Sequence, residues 1–141
     1  MNLYVAPREH LGWLAEKANV VIGPTFQAIE AVDASGRIVA MVGADAWTEN
    51  ACALHVAAEY PAAIRHLLKP TFEMVFNGLK KRMVVATILS DNQKSLALAK
   101  HLGFRETHRI KNWWADGVDA VLLEMHRKDC RWVTPVLRKV G

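Results

Sequence analysis

The feature that most constrains the fold is a helical stripe of apolar residues in segment 61–79, with strand-like runs on both sides of it. The stripe repeats at the spacing of an α-helix and comprises Ile64, Leu67, Leu68, Thr71, Phe72, Val75, Phe76 and Leu79. Residues 51–58 and 82–89 flank it and are rich in the apolar side chains of buried strands. Because strand, helix and strand in this order join parallel neighbours, the pattern predicts a parallel pair with a right-handed crossover. Pro70 removes one backbone hydrogen bond but leaves the stripe in phase, so we expect one kinked helix.

The remaining segments predict a mixed sheet around this pair. A short helix follows Pro7, and residues 26–33 and 37–45 form a hairpin that residues 51–58 extend to an antiparallel meander. Ser90 or Asp91 is expected to cap a further helix that ends at Gly103. Residues 105–114 and 118–126 form a closing hairpin. The fold class is therefore α/β or α+β: an antiparallel meander, then β-α-β-α, then a C-terminal hairpin.

Length and charge indicate one domain with a basic tail. The chain has 141 residues, which is the length of a single domain, and residues 1–126 carry 13 basic and 13 acidic side chains. The net charge of +4 therefore arises in residues 127–141, as a solvated tail or as a contact for an acidic partner. A nucleic-acid-binding face over the whole chain is not indicated. With no apolar run of spanning length and only Cys52 and Cys130 as cysteines, we expect a cytoplasmic protein without a metal site or disulfide framework.

One motif resembles a known family. Asn92-x-x-Ser95 opens a predicted helix that ends in Leu102-Gly103-Phe104, and this segment resembles the C-terminal half of GNAT-superfamily acyltransferases. The similarity is greatest to the branch that acetylates the N-termini of ribosomal proteins. It implies an N-acetyltransferase that takes acetyl-CoA and transfers acetyl to an amine by direct attack in a ternary complex. The acceptor would be a protein N-terminus, a lysine or a small amine.

The resemblance also implies where coenzyme A would bind. If the parallel strands splay apart at their carboxyl ends, their free backbone groups, near Val56 and Ala57, can hold the amide-rich pantetheine arm. The pyrophosphate would lie at the N-terminus of the 61–79 helix, which is a favourable place for an anion. The candidate residues there are Ala62, Ala63 and Arg65, and on the next helix they are Asn92 and Ser95. The family's Gly-rich loop before the pyrophosphate helix is absent, and residues 57–64 contain no glycine.

The chemistry requires a base for the amine and an acid for the leaving thiolate. His55 is the first candidate base, since the ordinary pKa of a histidine side chain is about 6.5, and a structural histidine is the alternative. Further candidate bases are Glu59, Asp45 and Glu49. Many members of the family carry a tyrosine that acts as the general acid for the leaving thiolate, and Ala99 occupies that position here. Ser95, Tyr60 or water would therefore protonate the thiolate.

Two points stay open from the sequence. Trp113 and Trp114 would line a substrate channel, bury against a second subunit in a homodimer, or pack in the core. A single helix before the meander favours an open acceptor cleft. The alternative to an enzyme is a catalytically inactive binding or structural module on the same fold, of the kind found among bacteriophage proteins.

Overall fold

The computed structural model describes residues 1–133 and contains seven strands and three α-helices in that part of the chain. The strands are β1 (Asn2–Val5), β2 (Gln27–Val32), β3 (Ile38–Asp45), β4 (Ala51–Ala58), β5 (Met83–Leu89), β6 (Arg105–Ala115) and β7 (Val118–His126). The helices are α1 (Leu11–Ala18), α2 (Pro61–Phe72) and α3 (Gln93–Leu102). Short 3-10 turns precede α1 at Arg8–His10 and follow β7 at Arg127–Asp129.

All seven strands form one mixed sheet in the order β1-β2-β3-β4-β5-β7-β6. Among the strands of residues 1–133, only the β4–β5 pairing is parallel, and α2 connects these two strands, as the sequence predicts. The meander β2-β3-β4 and the closing hairpin β6-β7 are also confirmed. The sequence prediction did not include β1, a four-residue edge strand that pairs antiparallel with β2.

Two helix details differ from the sequence prediction. The apolar stripe of 61–79 continues through Pro70, but the α-helix changes to a π-helical segment at Glu73–Gly78. This wider winding absorbs the irregularity downstream of the proline. The second difference is the cap of α3: neither Ser90 nor Asp91 caps it, because Asn92 Oδ1 accepts the backbone N–H of Ser95 at 3.2 Å. Gly103 ends α3 in the left-handed conformation, with φ of 115°, as expected.

The helices cover both faces of the sheet, and each face has its own apolar cluster. On one face α1 buries Leu11 and Leu14 against Phe26 and Met41. On the other face α2 and α3 bury a larger cluster that includes Leu67, Phe76, Leu96, Val121 and Met125. Adjacent residues of a strand point to opposite faces, so β3 and β4 contribute to both clusters.

Residues 127–133 pack against the domain, although we expected the basic tail to begin at residue 127. Cys130 is buried in the cluster beside α3, and the Trp132 indole N–H donates to the Leu102 carbonyl at 2.9 Å. Arg127 donates to the Asn77 amide oxygen at 2.6 Å. Arg138 and Lys139 lie outside the described residues.

Candidate functional site

The parallel strands separate halfway along their length. The β4–β5 ladder has three residue pairs and ends at Ala53 and Val85, but β4 continues to Ala58 and β5 to Leu89. On their outer sides both strands remain paired, β4 with β3 and β5 with β7. From residue 54 of β4 and residue 86 of β5 onward, the backbone edges that these two strands turn toward each other therefore pair with no described strand.

A cavity of about 460 Å³ lies at this separation. Its walls are the diverging strands, the C-terminal half of α2, the inner side of α3, the end of α1 and the tip of β6. The polar lining side chains are Lys17, Asn19, His55, Thr71, Thr87, Asn92 and Ser95. A volume of this size is within the usual range for a small-molecule site.

His55 and Asp45 form a hydrogen-bonded pair at the cavity. The register that places Gly43 opposite His55 also places Asp45 opposite Ala53, so both polar side chains point to the face that carries α1. His55 Nε2 lies 2.7 Å from Asp45 Oδ1, and each side chain is 26% exposed. The Phe26 ring stacks on the imidazole with a centroid distance of 5.6 Å. The imidazole is thus fixed by a carboxylate and by a buried ring.

Gly43 leaves room for that ring. A Cβ atom at Gly43 would lie 2.3 Å from Phe26 Cε1 and 2.7 Å from Leu14 Cδ2. These separations are far inside van der Waals contact, so only glycine allows Phe26 to occupy this position.

A β-bulge brings Trp113 and Trp114 to the same cavity. The β6–β7 register is irregular between Ile110 and Ala115, and Asn112 has a left-handed backbone with φ of 54°. As a result both rings line the cavity, and neither belongs to the core, since each tryptophan is 54% exposed. This position favours the interpretation that the two tryptophans line a substrate channel over the interpretation that they pack in the core.

The residues expected to bind coenzyme A separate into two groups. Val56, Asn92 and Ser95 line the cavity. Ala57, Ala62, Ala63 and Arg65 do not: Ala57 packs on the α1 side, and Ala63 is fully buried. The Ala63 N–H donates to the Tyr60 carbonyl at 3.1 Å, so this first-turn donor of α2 already has a partner.

The other candidate acids and bases lie away from the cavity. Glu59 pairs with Lys17 at 3.1 Å and with Arg37 at 3.7 Å, and it is not part of the lining. Tyr60 is the N-cap residue of α2 and Glu49 lies in the exposed turn before β4. The structure therefore brings His55 and Ser95 to one cavity, with Asp45 bonded to His55, and leaves Glu59, Tyr60 and Glu49 outside the lining.

Several lining residues were not among the sequence candidates. Lys17 and Asn19 reach the cavity because α1 ends there, with Asn19 in the left-handed conformation. Thr71 and Thr87 reach it from α2 and β5. An asparagine directly after an amphipathic helix is a recognisable end signal, but nothing in the sequence places that end beside the sheet.

Burial raises the pKa of both cysteine thiols, that of Cys52 to about 11. Within residues 1–133 there is no group of three or more His, Cys, Asp or Glu side chains that could hold a metal ion. Over the same residues, no helix has the length and apolar character needed to cross a bilayer.

This arrangement, a mixed seven-stranded sheet with splayed parallel strands, is the GNAT fold. Two solved structures show the likeness. The spermidine/spermine N-acetyltransferase SpeG from Vibrio cholerae superposes with a TM-score of 0.71 at 12% identity, over 89% of this chain and 91% of that chain. A protein described as a putative phosphinothricin N-acetyltransferase superposes with a TM-score of 0.71 at 17% identity, over 89% and 97% of the two chains. No protein-family model and no curated protein sequence matches the chain.

Proposed function

We propose that this protein is an N-acetyltransferase that uses acetyl-CoA and transfers the acetyl group directly to an amine. The observation that carries the proposal is the cavity between the splayed strands, with His55 on its wall and Asp45 bonded to that histidine. The GNAT fold of known N-acetyltransferases supports the same reaction class.

The splayed strands fit the amide-rich arm of the donor. From residue 54 onward β4 presents backbone N–H and C=O groups to the gap, and buried backbone groups require hydrogen-bond partners. A pantetheine arm supplies such partners in the manner of an added strand. Val56 on β4 and Asn92 and Ser95 on α3 would contact the arm, since all three line the gap.

The phosphate groups would contribute less than the arm. Between β4 and α2 there are only two residues, Glu59 and Tyr60, in place of a Gly-rich loop. Pro61 has no N–H, and the Ala63 N–H is bonded to Tyr60. We retain Ala62 and Arg65 as the residues that would face the phosphates, because both are exposed at this helix end.

His55 would serve as the base. When Nε2–H donates to Asp45, Nδ1 is left as the proton acceptor, and the carboxylate stabilises the imidazolium that forms. The amine nitrogen attacks the thioester carbonyl carbon, a C–N bond forms, the C–S bond breaks, and the nitrogen's proton passes to His55. The departing thiolate takes a proton from water, directly or through the Ser95 hydroxyl, which water then reprotonates; His55 releases its proton to solvent before the next turnover.

Direct attack is favoured over a covalent acetyl-cysteine intermediate. A thiol with a pKa of about 11 is almost entirely protonated at neutral pH, and Cys52 is 1% exposed. Burial raises the pKa of Cys130 as well. Neither side chain is a suitable nucleophile.

A test combines acetyl-CoA calorimetry with assays of amine acetylation. We expect His55→Gln to lower kcat by about a hundredfold or more while leaving the Kd of acetyl-CoA unchanged. The matched control is His66→Gln, because His66 is exposed on α2 and does not line the cavity. Full activity of His55→Gln would remove His55 from the mechanism.

The inactive module remains the second candidate, and the two-residue link before α2 favours it. Folded protein that binds no acetyl-CoA at millimolar concentration would support the module and exclude the enzyme.

A further inference from the structure

The tip of β6 presents an aromatic surface to the cavity. The rings of Trp113 and Trp114 have centroids 6.2 Å apart and planes inclined by 34°. Each residue is 54% exposed, an unusual fraction for two adjacent tryptophans. A ligand ring stacked between two other rings needs these to be roughly 7 Å apart. The indole centroids are closer than that, so a ligand ring would lie on the outer face of the pair and not between the two indoles.

The surface is held in place by hydrogen bonds at the bulge. The Asn112 N–H donates to Asp119 Oδ1 at 3.0 Å, and Asn112 Oδ1 accepts the Gly117 N–H at 2.8 Å. The Asp119 N–H in turn donates to Ser90 Oγ at 2.8 Å, at the end of β5. The bulge is thereby tied to the strand that borders the gap, so the backbone that carries the two rings is fixed relative to the cavity.

The charges around the cavity disfavour one kind of acceptor. Among the described residues that line it there is no carboxylate, and the one lining side chain with a permanent charge is Lys17. Asp45 lies behind His55, and its Oδ1 is bonded to the imidazole. Glu59 pairs with Lys17 at 3.1 Å from outside the lining, so the described lining itself offers no carboxylate to the distal ammonium groups of a polyamine.

Resting on the proposed acetyl transfer, we propose that the acceptor is a primary amine on a short chain that ends in an aromatic ring. The ring stacks on Trp113 and Trp114, and the amine is directed to His55. This substrate class differs from the spermidine and spermine named for one of the structural neighbours. The chemical basis is ring stacking, together with the absence of lining carboxylates from the described part of the chain.

The test compares three amines: 2-phenylethylamine, n-hexylamine and spermidine. The first two have one ammonium group and an apolar remainder, so their difference isolates the ring, whereas spermidine tests the charge argument. Acetylation is followed by release of free thiol, and binding is followed separately by NMR of the indole N–H groups. The variant is Trp113→Ala/Trp114→Ala, and the control is Ile110→Ala, an exposed apolar residue of the same strand that does not line the cavity.

We expect kcat/KM for 2-phenylethylamine to exceed that for the other two amines by about tenfold. The double variant should lose this preference through a higher KM, with the Kd of acetyl-CoA unchanged, and Trp113→Phe/Trp114→Phe should restore most of it. Equal or better use of n-hexylamine or spermidine, or an unchanged preference in the double variant, would overturn the proposal.

Failure of the proposed function gives a different result. If no amine is acetylated, the enzyme proposal fails, and the aromatic site is judged by binding alone. Shifts of the Trp113 and Trp114 indole signals with 2-phenylethylamine but not with n-hexylamine would then support the site. No shift at millimolar concentrations would refute it.

Discussion

Replacement of Gly43 by alanine tests how the buried ring positions the imidazole. The added Cβ would lie 2.3 and 2.5 Å from two atoms of Phe26 and 2.7 Å from Leu14 Cδ2. Phe26 is 2% exposed and Leu14 is fully buried, so neither has free space to move into. Overpacking a core costs about 1–3 kcal/mol, and with three such contacts we expect a loss near the upper limit, about 3 kcal/mol.

Urea unfolding followed by tryptophan fluorescence measures this loss. With an m-value of about 2 kcal/mol/M, the unfolding midpoint should fall by about 1.5 M. Gly12→Ala is the matched control, since a Cβ there has no neighbour within 4 Å and the residue lies in α1. This control should raise the stability by up to about 1 kcal/mol, because alanine favours a helix over glycine.

The same substitution should reach His55, because the displaced ring is the one that stacks on the imidazole. We expect the NMR signals of the His55 ring to shift in Gly43→Ala and to stay unchanged in Gly12→Ala. Replacement of Phe26 by leucine in the Gly43→Ala background should recover part of the stability, since it relieves the contact. A midpoint equal to that of the wild type would refute the packing argument.

Three further predictions concern stability. Hydrogen bonds from the Asn112 N–H and then from Lys111 hold the pKa of the Asp119 carboxyl below its ordinary value. This carboxylate therefore stabilises the fold fully above about pH 4, and the stabilisation is lost as the pH falls through the lowered pKa. Asp119→Asn should lower Tm at pH 7, and a difference in Tm that persists undiminished in strong acid would contradict this prediction. Thr71 Oγ1 is buried without a hydrogen bond to any described residue, so Thr71→Val should raise the unfolding free energy by about 1 kcal/mol. A variant with a lower unfolding free energy than the wild type in urea titrations would show that the hydroxyl makes a stabilising hydrogen bond. Truncation to residues 1–126 removes buried Cys130 and the Trp132–Leu102 hydrogen bond and should cost about 3 kcal/mol in unfolding free energy; a truncated protein that melts like the full chain would be evidence against this packing.

The order of elements was predictable because the spacing of the apolar residues changes at most boundaries between strands and helices. The bounds of β4 and β7 agree with the sequence prediction, and Gly103 ends α3 where expected. Strand β1 was missed for a physical reason: its four residues are all exposed at the sheet edge, so they carry no alternation of apolar and polar side chains. Tertiary pairing with β2, and not a local pattern, makes it a strand.

The site was predictable in its residue types and less so in its geometry. His55 was identified from its chemistry, but its bond to Asp45 depends on the register across the turn between β3 and β4. Glu59 was an equally reasonable carboxylate by position in the sequence, yet Lys17 and Arg37 hold it outside the cavity. The β6 bulge depends on Asn112 adopting a left-handed backbone. Asparagine tolerates this conformation but also occurs in others, so its presence in the sequence does not predict the bulge.

The three-pair ladder between β4 and β5 also has a consequence for folding kinetics. It divides the sheet into a unit of four strands within residues 2–58 and a unit of three within residues 83–126, each paired only antiparallel. Contacts inside the meander β2-β3-β4 and the hairpin β6-β7 are close in sequence. Both pairings of β5 are distant in sequence, since Met83 pairs with Ala51 across the whole of α2 and with His126 across α3 and β6. Local contacts form early and the closure of long loops is slow, so the insertion of β5 between the meander and the hairpin is the expected late step. Amide protons of β5 should accordingly gain protection after those of the meander and of the hairpin, in pulse-labelling hydrogen exchange during refolding.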